Sequence, residues 1–408
     1  MLFRFNRLSP RFASPLVAFA LCVAGASVSS GCAVNQRPKT TIPRLLADAD
    51  TARVVERALR DTVIERLVRR ARARGDGTLD VLMLSGGGQN GAFGVGFLRG
   101  WSERADDAMP RFDMVTGIST GALQAPYALL GTRSALDTVA ALYRRAAERI
   151  APSFDWLFLA RRTGGIVSTK KYDRALEQSV SGAFRSALQQ AFAEDRQLLF
   201  GTADFDTGVG RTWSLGDILD SSDASLGRAR SLLKAATAIP GIFPPVVIDG
   251  HVHADGGTIS NVLPVLRFED YQRLAARLAA AGMGDVTVRV YVVMNVWTHA
   301  PPQVVGASNR RAVSSRANAL MFFSHQPETL AGLADLARAV NGGIQGLRMQ
   351  YRAALLPASE ALEPGARKLF DRAFMQRLEE IGAAKARSAT PWDMIPSAYE
   401  RPPRSRLP

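Results

Sequence analysis

A serine between two glycines has the clearest chemical potential in this sequence. Gly117-Ile118-Ser119-Thr120-Gly121 follows an apolar run, Phe112 to Thr116, and precedes a second apolar run of helical character, Ala122 to Leu130. Glycines at a sharp strand-to-helix turn permit strained backbone angles and leave the serine hydroxyl clear of the sheet, as a nucleophile elbow requires. We therefore predict that Ser119 is a nucleophile.

A serine hydroxyl is a weak nucleophile at neutral pH, so a base must lie within hydrogen-bond reach of it. The chain has four histidines that could complete a Ser-His-Asp triad: His251, His253, His299 and His325. It also has Asp255, which is followed by Gly256 and Gly257. An aspartate on such a tight turn can point into a cleft without side-chain crowding. The residue pattern alone leaves both kinds of base open.

Attack on a carbonyl also needs donors for the oxyanion that forms. The glycines Gly86, Gly87 and Gly88 follow a predicted strand, Val81 to Leu84, and precede a predicted helix over 92–105. Glycine backbone approaches a substrate closely, and amides at a helix N-terminus present unpaired N–H groups to a negative oxygen. We therefore predict an oxyanion loop at 86–88.

The same glycines, together with Gly91, also fit a dinucleotide-binding fingerprint. That type of site expects an acid at the end of the second strand, to bind the ribose. Asp113 instead begins its strand, and the end of that strand has the serine motif. The pattern therefore favours acyl chemistry over nucleotide binding.

The alternation of strand and helix patterns predicts an α/β protein with a mostly parallel sheet. Further strands are predicted at 197–203, 211–214, 246–248 and 286–294, and helices at 133–149, 171–193 and 228–238. Several helices are predicted over 316–385, with a break near Gly342-Gly343. The apolar clusters Trp156 to Leu159 and Phe322-Phe323 are interpreted as core, with an acyl pocket or a bilayer contact as the alternative.

Three segments in this order resemble the patatin-like phospholipase family. They are Leu84-Ser85-Gly86-Gly87-Gly88-Gln89-Asn90-Gly91-Ala92-Phe93, the segment from Phe112 to Leu123 that contains the serine motif, and Ala238-Ile239-Pro240-Gly241-Ile242-Phe243-Pro244-Pro245 followed by Asp255-Gly256-Gly257. The resemblance spans about Leu79 to Met294. It implies a three-layer α/β/α fold and a Ser-Asp dyad that works without histidine.

Carried over residue by residue, the resemblance makes Ser119 the nucleophile and Asp255 the general base. The oxyanion donors would be Gly86, Gly87 and Gly88, with the backbone N–H of Thr120. The remaining motif glycines would be Gly91, Gly117, Gly121, Gly256 and Gly257. The implied activity is hydrolysis of phospholipid or lysophospholipid esters, with no metal and no organic cofactor. A catalytically inactive envelope scaffold is the alternative.

The sequence departs from the family pattern at two positions. The family loop commonly begins with aspartate and has arginine or lysine two places after the third glycine, whereas this chain has Ser85 and Asn90. Without that cation, the oxyanion site would depend on backbone amides.

A metal site is a competing interpretation of His251-x-His253-x-Asp255, because alternate residues of a strand face the same way. Gly256 stands where a further ligand would be expected. We therefore interpret both histidines as ordinary residues of the strand that leads into the Asp255 turn.

The first residues resemble a bacterial lipoprotein signal. Arg4, Arg7 and Arg11 precede a short apolar region, and small residues lead into Cys32. We predict a signal peptide over 1–31 and lipidation of Cys32. We expect an envelope location, outer membrane rather than inner, with secretion as the alternative.

The mature part would then be a tether and amphipathic helix (32–75), a catalytic domain (76–300), a helical C-terminal part packed on it (301–388) and a tail rich in proline and arginine (389–408). The predicted helix over 46–74 has Leu46, Val54, Val55, Leu59, Val63, Ile64 and Leu67 largely on one face. We expect this face to pack on the domain, with a membrane interface as the alternative.

The net charge of the whole chain is +14, and loss of the signal with its three arginines would leave 14 − 3 = +11. Such a charge suits an anionic lipid surface, with a solvated basic surface as the alternative. Nucleic acid is not an expected partner, because the arginines are dispersed and no aromatic platform accompanies them.

Overall fold

The computed structural model describes residues 37, 39–149, 153–154, 164–397 and 399. Its strands are β1 (Thr78–Leu84), β2 (Met114–Ile118), β3 (Ser153–Phe154), β4 (Val167–Ser168), β5 (Gln197–Asp204), β6 (Val209–Ser214), β7 (Val246–Ile248), β8 (His251–Asp255), β9 (Val286–Met294) and β10 (Leu347–Leu355).

The described α-helices are α1 (Ile42–Arg74), α2 (Gly91–Ser102), α3 (Thr120–Leu130), α4 (Arg133–Arg144), α5 (Ala146–Arg149), α6 (Lys170–Ser179), α7 (Gly182–Ala193), α8 (Leu215–Ile218), α9 (Asp223–Ala236), α10 (Phe268–Ala280), α11 (Arg310–Gly343) and α12 (Arg372–Arg387). Short 3-10 helices span Gly88–Asn90, Gly256–Thr258, Ala358–Leu362 and Pro364–Arg367.

Eight strands form a central sheet in the order β10-β9-β1-β2-β5-β8-β7, and β6 also pairs with β5. The strands β10, β9, β1, β2 and β5 run parallel to one another. The other three strands, β6, β8 and β7, run antiparallel to their neighbours. The prediction of a mostly parallel sheet is therefore confirmed.

Side chains of β1 show how the sheet separates two helical layers. Leu82 and Leu84 belong to a core that includes residues of α2, α3 and α12, whereas Val81 and Met83 belong to a core that includes residues of α1, α10 and α11. Successive side chains of a strand point to opposite faces. Both faces of the sheet are therefore covered, and the three-layer α/β/α architecture is confirmed.

The C-terminal part differs from its prediction. Residues 347–355 form β10, a strand of the central sheet that pairs with β9 along its whole length, where helices were expected. Its buried residues Leu347 and Met349 alternate with the exposed Arg348 and Gln350, which is the period of a strand with one covered face. The expectation of a wholly helical C-terminal part was wrong.

The prediction that the apolar face of α1 packs on the domain is correct for only part of the helix. Val63, Ile64 and Leu67 of α1 are buried against the domain as expected, but Leu46 and Val54 are 64% and 69% exposed. The first half of α1 therefore leaves Ile42, Leu46, Val54 and Val55 exposed and buries only the small Ala52. In the part of the chain that the structure describes, no helix is both long enough and apolar enough to cross a membrane.

Candidate active site

Ser119 occupies the turn between β2 and α3. Its backbone has φ 51° and ψ −124°, which is unusual for a residue with a side chain. A Cβ added to Gly117 would lie 2.5 Å from the backbone of Gly121, and one added to Gly121 would lie 2.2 Å from the carbonyl oxygen of Leu84. Both glycines are therefore required for the helix to begin this close to the sheet.

The pairing register explains why Asp255 lies beside Ser119. Strand β2 pairs with β5 as far as Ile118, which lies opposite Gly201. Strand β8 pairs with β5 from the next residue onward, with Asp255 opposite Thr202. Because β6 already pairs with β5 over this stretch, β8 uses the edge that β2 leaves free. The end of β8 therefore meets the end of β2, where the serine turn begins.

Asp255 is buried, with 5% of its surface exposed. Burial raises the pKa of Asp255 to about 6, and hydrogen bonds from the side chain of Ser119 and the backbone N–H of Gly257 oppose that rise. The Gly257 N–H donates to Oδ1 at 2.8 Å. The Asp-Gly-Gly turn thus orients a carboxylate whose pKa lies nearer to neutral pH than that of an exposed aspartate.

The glycine loop faces the same point. A Cβ on Gly86 would lie 3.2 Å from the Cβ of Ser119. Gly87 has φ 156° and Gly88 has φ 57°, and a Cβ on Gly87 would lie 2.1 Å from the carbonyl oxygen of Asn295. The loop therefore needs glycine for its conformation at 88 and for its close contact at 87.

The three loop amides differ in what they can bind. The Gly86 N–H donates to the carbonyl oxygen of Asn261 at 3.0 Å, so it is already occupied. Within the described residues, the Gly87 and Gly88 N–H groups have no acceptor. The N–H of Thr120, at the start of α3, is one of the helix amides that lack an intrahelical acceptor. Three amides near Ser119 are thus available to an oxygen of a ligand.

Ser85 and Asn295 fix the loop from behind, and both are fully buried. The Ser85 hydroxyl donates to the Gly86 carbonyl at 2.8 Å and accepts from the Asn295 N–H at 2.7 Å. The Asn295 side chain donates to the Ser85 carbonyl and accepts from the Gly94 N–H. The serine that departs from the family pattern therefore has a defined structural role here.

Asn90 lies at the start of α2 and is buried, with 6% of its surface exposed. Its backbone N–H donates to the Gly87 carbonyl at 3.1 Å, which closes the turn after the loop. Gly91 follows, and a Cβ there would lie 2.3 Å from Oγ1 of Thr120. This glycine allows the N-termini of α2 and α3 to meet beside the serine.

The sequence analysis did not identify the residues that support the contact between the N-termini of α2 and α3. Tyr143 of α4 contacts the Thr120 hydroxyl and accepts from Nε2 of Gln124 at 3.0 Å. The same Gln124 nitrogen donates to the Gly91 carbonyl at 2.8 Å. Burial raises the pKa of Tyr143 to about 12, so the phenol is protonated at neutral pH. Tyr143, Gln124, Asn261 and Asn295 have no motif of their own and are identified only by their contacts.

The histidines of β8 do not join Asp255 in a cluster of metal ligands. His253 is buried and its Nδ1 lies 3.0 Å from Oγ1 of Thr202, and burial lowers its pKa to about 4. Among the described residues, the group compatible with a metal ion is Asp204, Asp206 and His251. Arg37 forms an ion pair with Asp206 of this group.

Several predicted features lie outside the described residues. They are the signal over 1–31, the lipidation site Cys32, the cluster Trp156 to Leu159, and most of the tail beyond 397. Phe323 is partly buried against the core, whereas Phe322 is 42% exposed. The interpretation of the Phe322-Phe323 pair as core was therefore wrong for Phe322.

The fold and the site define an α/β protein with a serine at a strand-to-helix elbow, a buried carboxylate beside it and free amides around it. Residues 82–268 match the model of the patatin-like phospholipase family. The match covers a little under half of the chain and contains the three motifs that resemble this family. It supports hydrolysis of acyl lipids as the general class of activity.

Lysophospholipase NTE1 of Mycosarcoma maydis is 27% identical over 224 residues, which are 53% of this chain and 11% of that protein. The chain thus spans about a tenth of this relative's length. VipD from Legionella pneumophila has a crystal structure that aligns over 76% of this chain and 66% of that chain, with a TM-score of 0.32 and 14% identity.

Proposed function

We propose that this protein is a serine acyl hydrolase that cleaves phospholipid or lysophospholipid esters with a Ser119–Asp255 dyad. The observation that supports this most directly is the pairing register of β5, which brings the buried Asp255 against the strained Ser119 turn. No histidine is needed in this proposal, because the Ser119 side chain lies close enough to Asp255 to lower the pKa of that carboxyl group.

In the first step, Asp255 accepts the hydroxyl proton while Oγ of Ser119 attacks the ester carbonyl. A base is most effective when its pKa lies near the working pH, and burial moves the pKa of Asp255 to about 6. The carboxylate is therefore ionised at neutral pH and more basic than an exposed aspartate. The alcohol leaves with the proton, and an acyl group remains on Ser119.

The oxyanion would accept hydrogen bonds from the N–H groups of Gly87, Gly88 and Thr120. The Gly86 N–H is bound to the carbonyl oxygen of Asn261, so Gly86 does not act as a donor. Its lack of a side chain instead lets the loop lie close to Ser119. The positive end of the α3 dipole lies under the oxyanion and adds to its stabilisation. Asp255 then activates water, which releases the fatty acid and restores Ser119.

Labelling with a fluorescent fluorophosphonate tests this proposal. We expect the purified protein to be labelled, Ser119→Ala to be unlabelled, and Asp255→Asn to be labelled at least a hundredfold more slowly, with EDTA present in all samples. Circular dichroism would verify that each variant is folded. A folded wild-type protein that never labels would favour the inactive scaffold.

We further propose that Cys32 is lipidated and anchors the protein in the envelope, at the outer membrane. The supporting observation is the arginine-led apolar stretch that ends in small residues before Cys32. Metabolic labelling with a palmitate analogue tests the anchor, and Cys32→Ser should abolish the label. A labelled Cys32→Ser protein would contradict it.

A further inference from the structure

The first half of α11 projects beyond the sheet. The helix has 34 residues, about 51 Å at a rise of about 1.5 Å per residue, whereas the nine residues of β10 span about 30 Å. The buried residues of α11 all lie between Gln326 and Val340. None of residues 310–325, which we call the α11 tip, is buried, although Phe323 is partly buried against the core.

The α11 tip lies at the carboxyl edge of the sheet, by which we mean the edge formed by the carboxyl ends of the parallel strands, and Ser119 lies at the same edge. Helix α11 ends at Gly343, and β10 begins at Leu347 opposite Val286, the first residue of β9. The helix therefore runs antiparallel to these strands, and its earlier residues lie toward their carboxyl ends. Ser119 follows the carboxyl end of β2, which runs parallel to β10 through β1 and β9.

One exposed face of the tip is apolar. Val313, Ala317, Leu320 and Met321 follow one another at the i, i+4, i+7 and i+8 spacing of one helix face. Leu320 is 48% and Met321 is 58% exposed. Other exposed apolar residues stand at the same carboxyl edge: Val304 in the loop before α11, Phe205 after β5 and Ile259 after the Asp255 turn. An exposed apolar helix face typically marks an interaction surface.

Along the sequence, the charges in and next to the tip are of one sign. No Asp or Glu occurs between Asp285 and Glu328, whereas Arg310, Arg311 and Arg316 lie in the tip. Arg316 donates to the Pro301 carbonyl, which holds the preceding loop against the helix. An apolar helix face flanked by arginines and lacking acids complements a bilayer with anionic head groups.

We propose that the α11 tip docks this protein on an anionic phospholipid bilayer and so presents its carboxyl edge, with Ser119, to lipid. The choice of a bilayer rests in part on the proposed function, but the docking itself does not require catalysis. Binding can therefore be measured with the Ser119→Ala protein. Cys32→Ser in the same full-length chain removes any contribution from a lipid anchor.

The test is flotation of this protein with vesicles of phosphatidylcholine, with and without phosphatidylglycerol. We expect Leu320→Ser with Met321→Ser to weaken binding to both kinds of vesicle at least tenfold. Arg310→Glu with Arg311→Glu should weaken binding to the anionic vesicles by more than tenfold, since each basic residue contributes about fivefold. Reversal of the exposed Arg72 and Arg348, at the opposite edge of the sheet, is the matched control and should change binding little.

Three results would overturn the proposal. Binding could persist unchanged in both tip variants, or the control could lose as much binding as the arginine variant. Light scattering could instead show that the wild type is a dimer and that the tip substitutions dissociate it while vesicle binding is unchanged. The α11 tip would then bind a second copy of the chain. Loss of vesicle binding without loss of fluorophosphonate labelling, in tip variants that retain Ser119, would support docking separately from catalysis.

Discussion

Asp255→Asn is expected to stabilise the protein at neutral pH while it removes the base. Burial raises the pKa of Asp255 from its ordinary value of 3.8 to about 6. Between these values the folded protein retains a proton that the unfolded chain has lost, so the unfolding free energy falls as the pH rises. Asparagine is neutral throughout this range and can still accept from the Gly257 N–H.

The magnitude follows from the difference of about two pKa units, at about 1.36 kcal/mol per unit. The variant should be more stable than the wild type by about 3 kcal/mol at pH 8 and by about 1 kcal/mol at pH 4.5. At about 2.1 cal/mol/K per residue over roughly 350 folded residues, 3 kcal/mol corresponds to a rise of about 4 °C in Tm. Other carboxylates affect both proteins equally and cancel in the difference.

Urea unfolding of both proteins across this pH range is the assay. Glu380→Gln, an exposed change on α12, controls for the loss of one negative charge and should give a difference near zero at every pH. A variant that is no more stable than the wild type at pH 8, or a stability difference that does not vary with pH, would refute the reasoning. Either result would mean that burial of the ionised Asp255 carboxylate costs less than about 3 kcal/mol.

Three further predictions concern the same site. Because Asp255 must be ionised to act as a base, kcat/KM for an acyl ester should fall about tenfold per pH unit below pH 6 and level off above pH 7; a flat profile down to pH 4.5 would contradict this role. Gly121→Ala places a Cβ 2.2 Å from the Leu84 carbonyl oxygen, so the unfolding free energy should fall by about 3 kcal/mol and fluorophosphonate labelling should be lost; unchanged urea unfolding would contradict the close packing. Ser85→Ala removes the hydrogen bonds to Gly86 and Asn295 and should cost about 2 kcal/mol with slower labelling; wild-type values of both would show that the Ser85 hydroxyl does not hold the loop.

Local patterns in the sequence were sufficient for most of the sheet. The strands β7 and β9 begin and end at the predicted residues, and β5 differs by one residue at one end. These strands are short apolar runs between turn residues, so their signal is local. Strand β10 was missed because it is an edge strand with polar residues on its exposed side, between two helices. Its identity as a strand depends on pairing with β9, which no local pattern records.

The site residues that could be predicted from sequence are those whose residue type is required by the backbone geometry. Ser119 and Gly121 are recognisable because the turn allows few alternatives. The use of the Gly86 N–H could not be predicted, because it depends on the carbonyl of Asn261, far away in sequence. The role of Tyr143 could not be predicted either, because a tyrosine in a helix can have many roles. Only its contact with Thr120 shows that it supports the site.

The burial of Asp255 links the chemistry of the site to the stability of the fold. A carboxylate in water would be a weaker base, and the same desolvation that raises its pKa to about 6 destabilises the folded protein whenever Asp255 is ionised. The surrounding structure must therefore hold the carboxylate in place without neutralising it. The Gly257 N–H donates a hydrogen bond to Asp255, and neither it nor the neighbouring Ser119 side chain brings a positive charge. An arginine or lysine in contact with Asp255 would stabilise the fold and would lower the pKa, and with it the basicity that the proposed reaction needs.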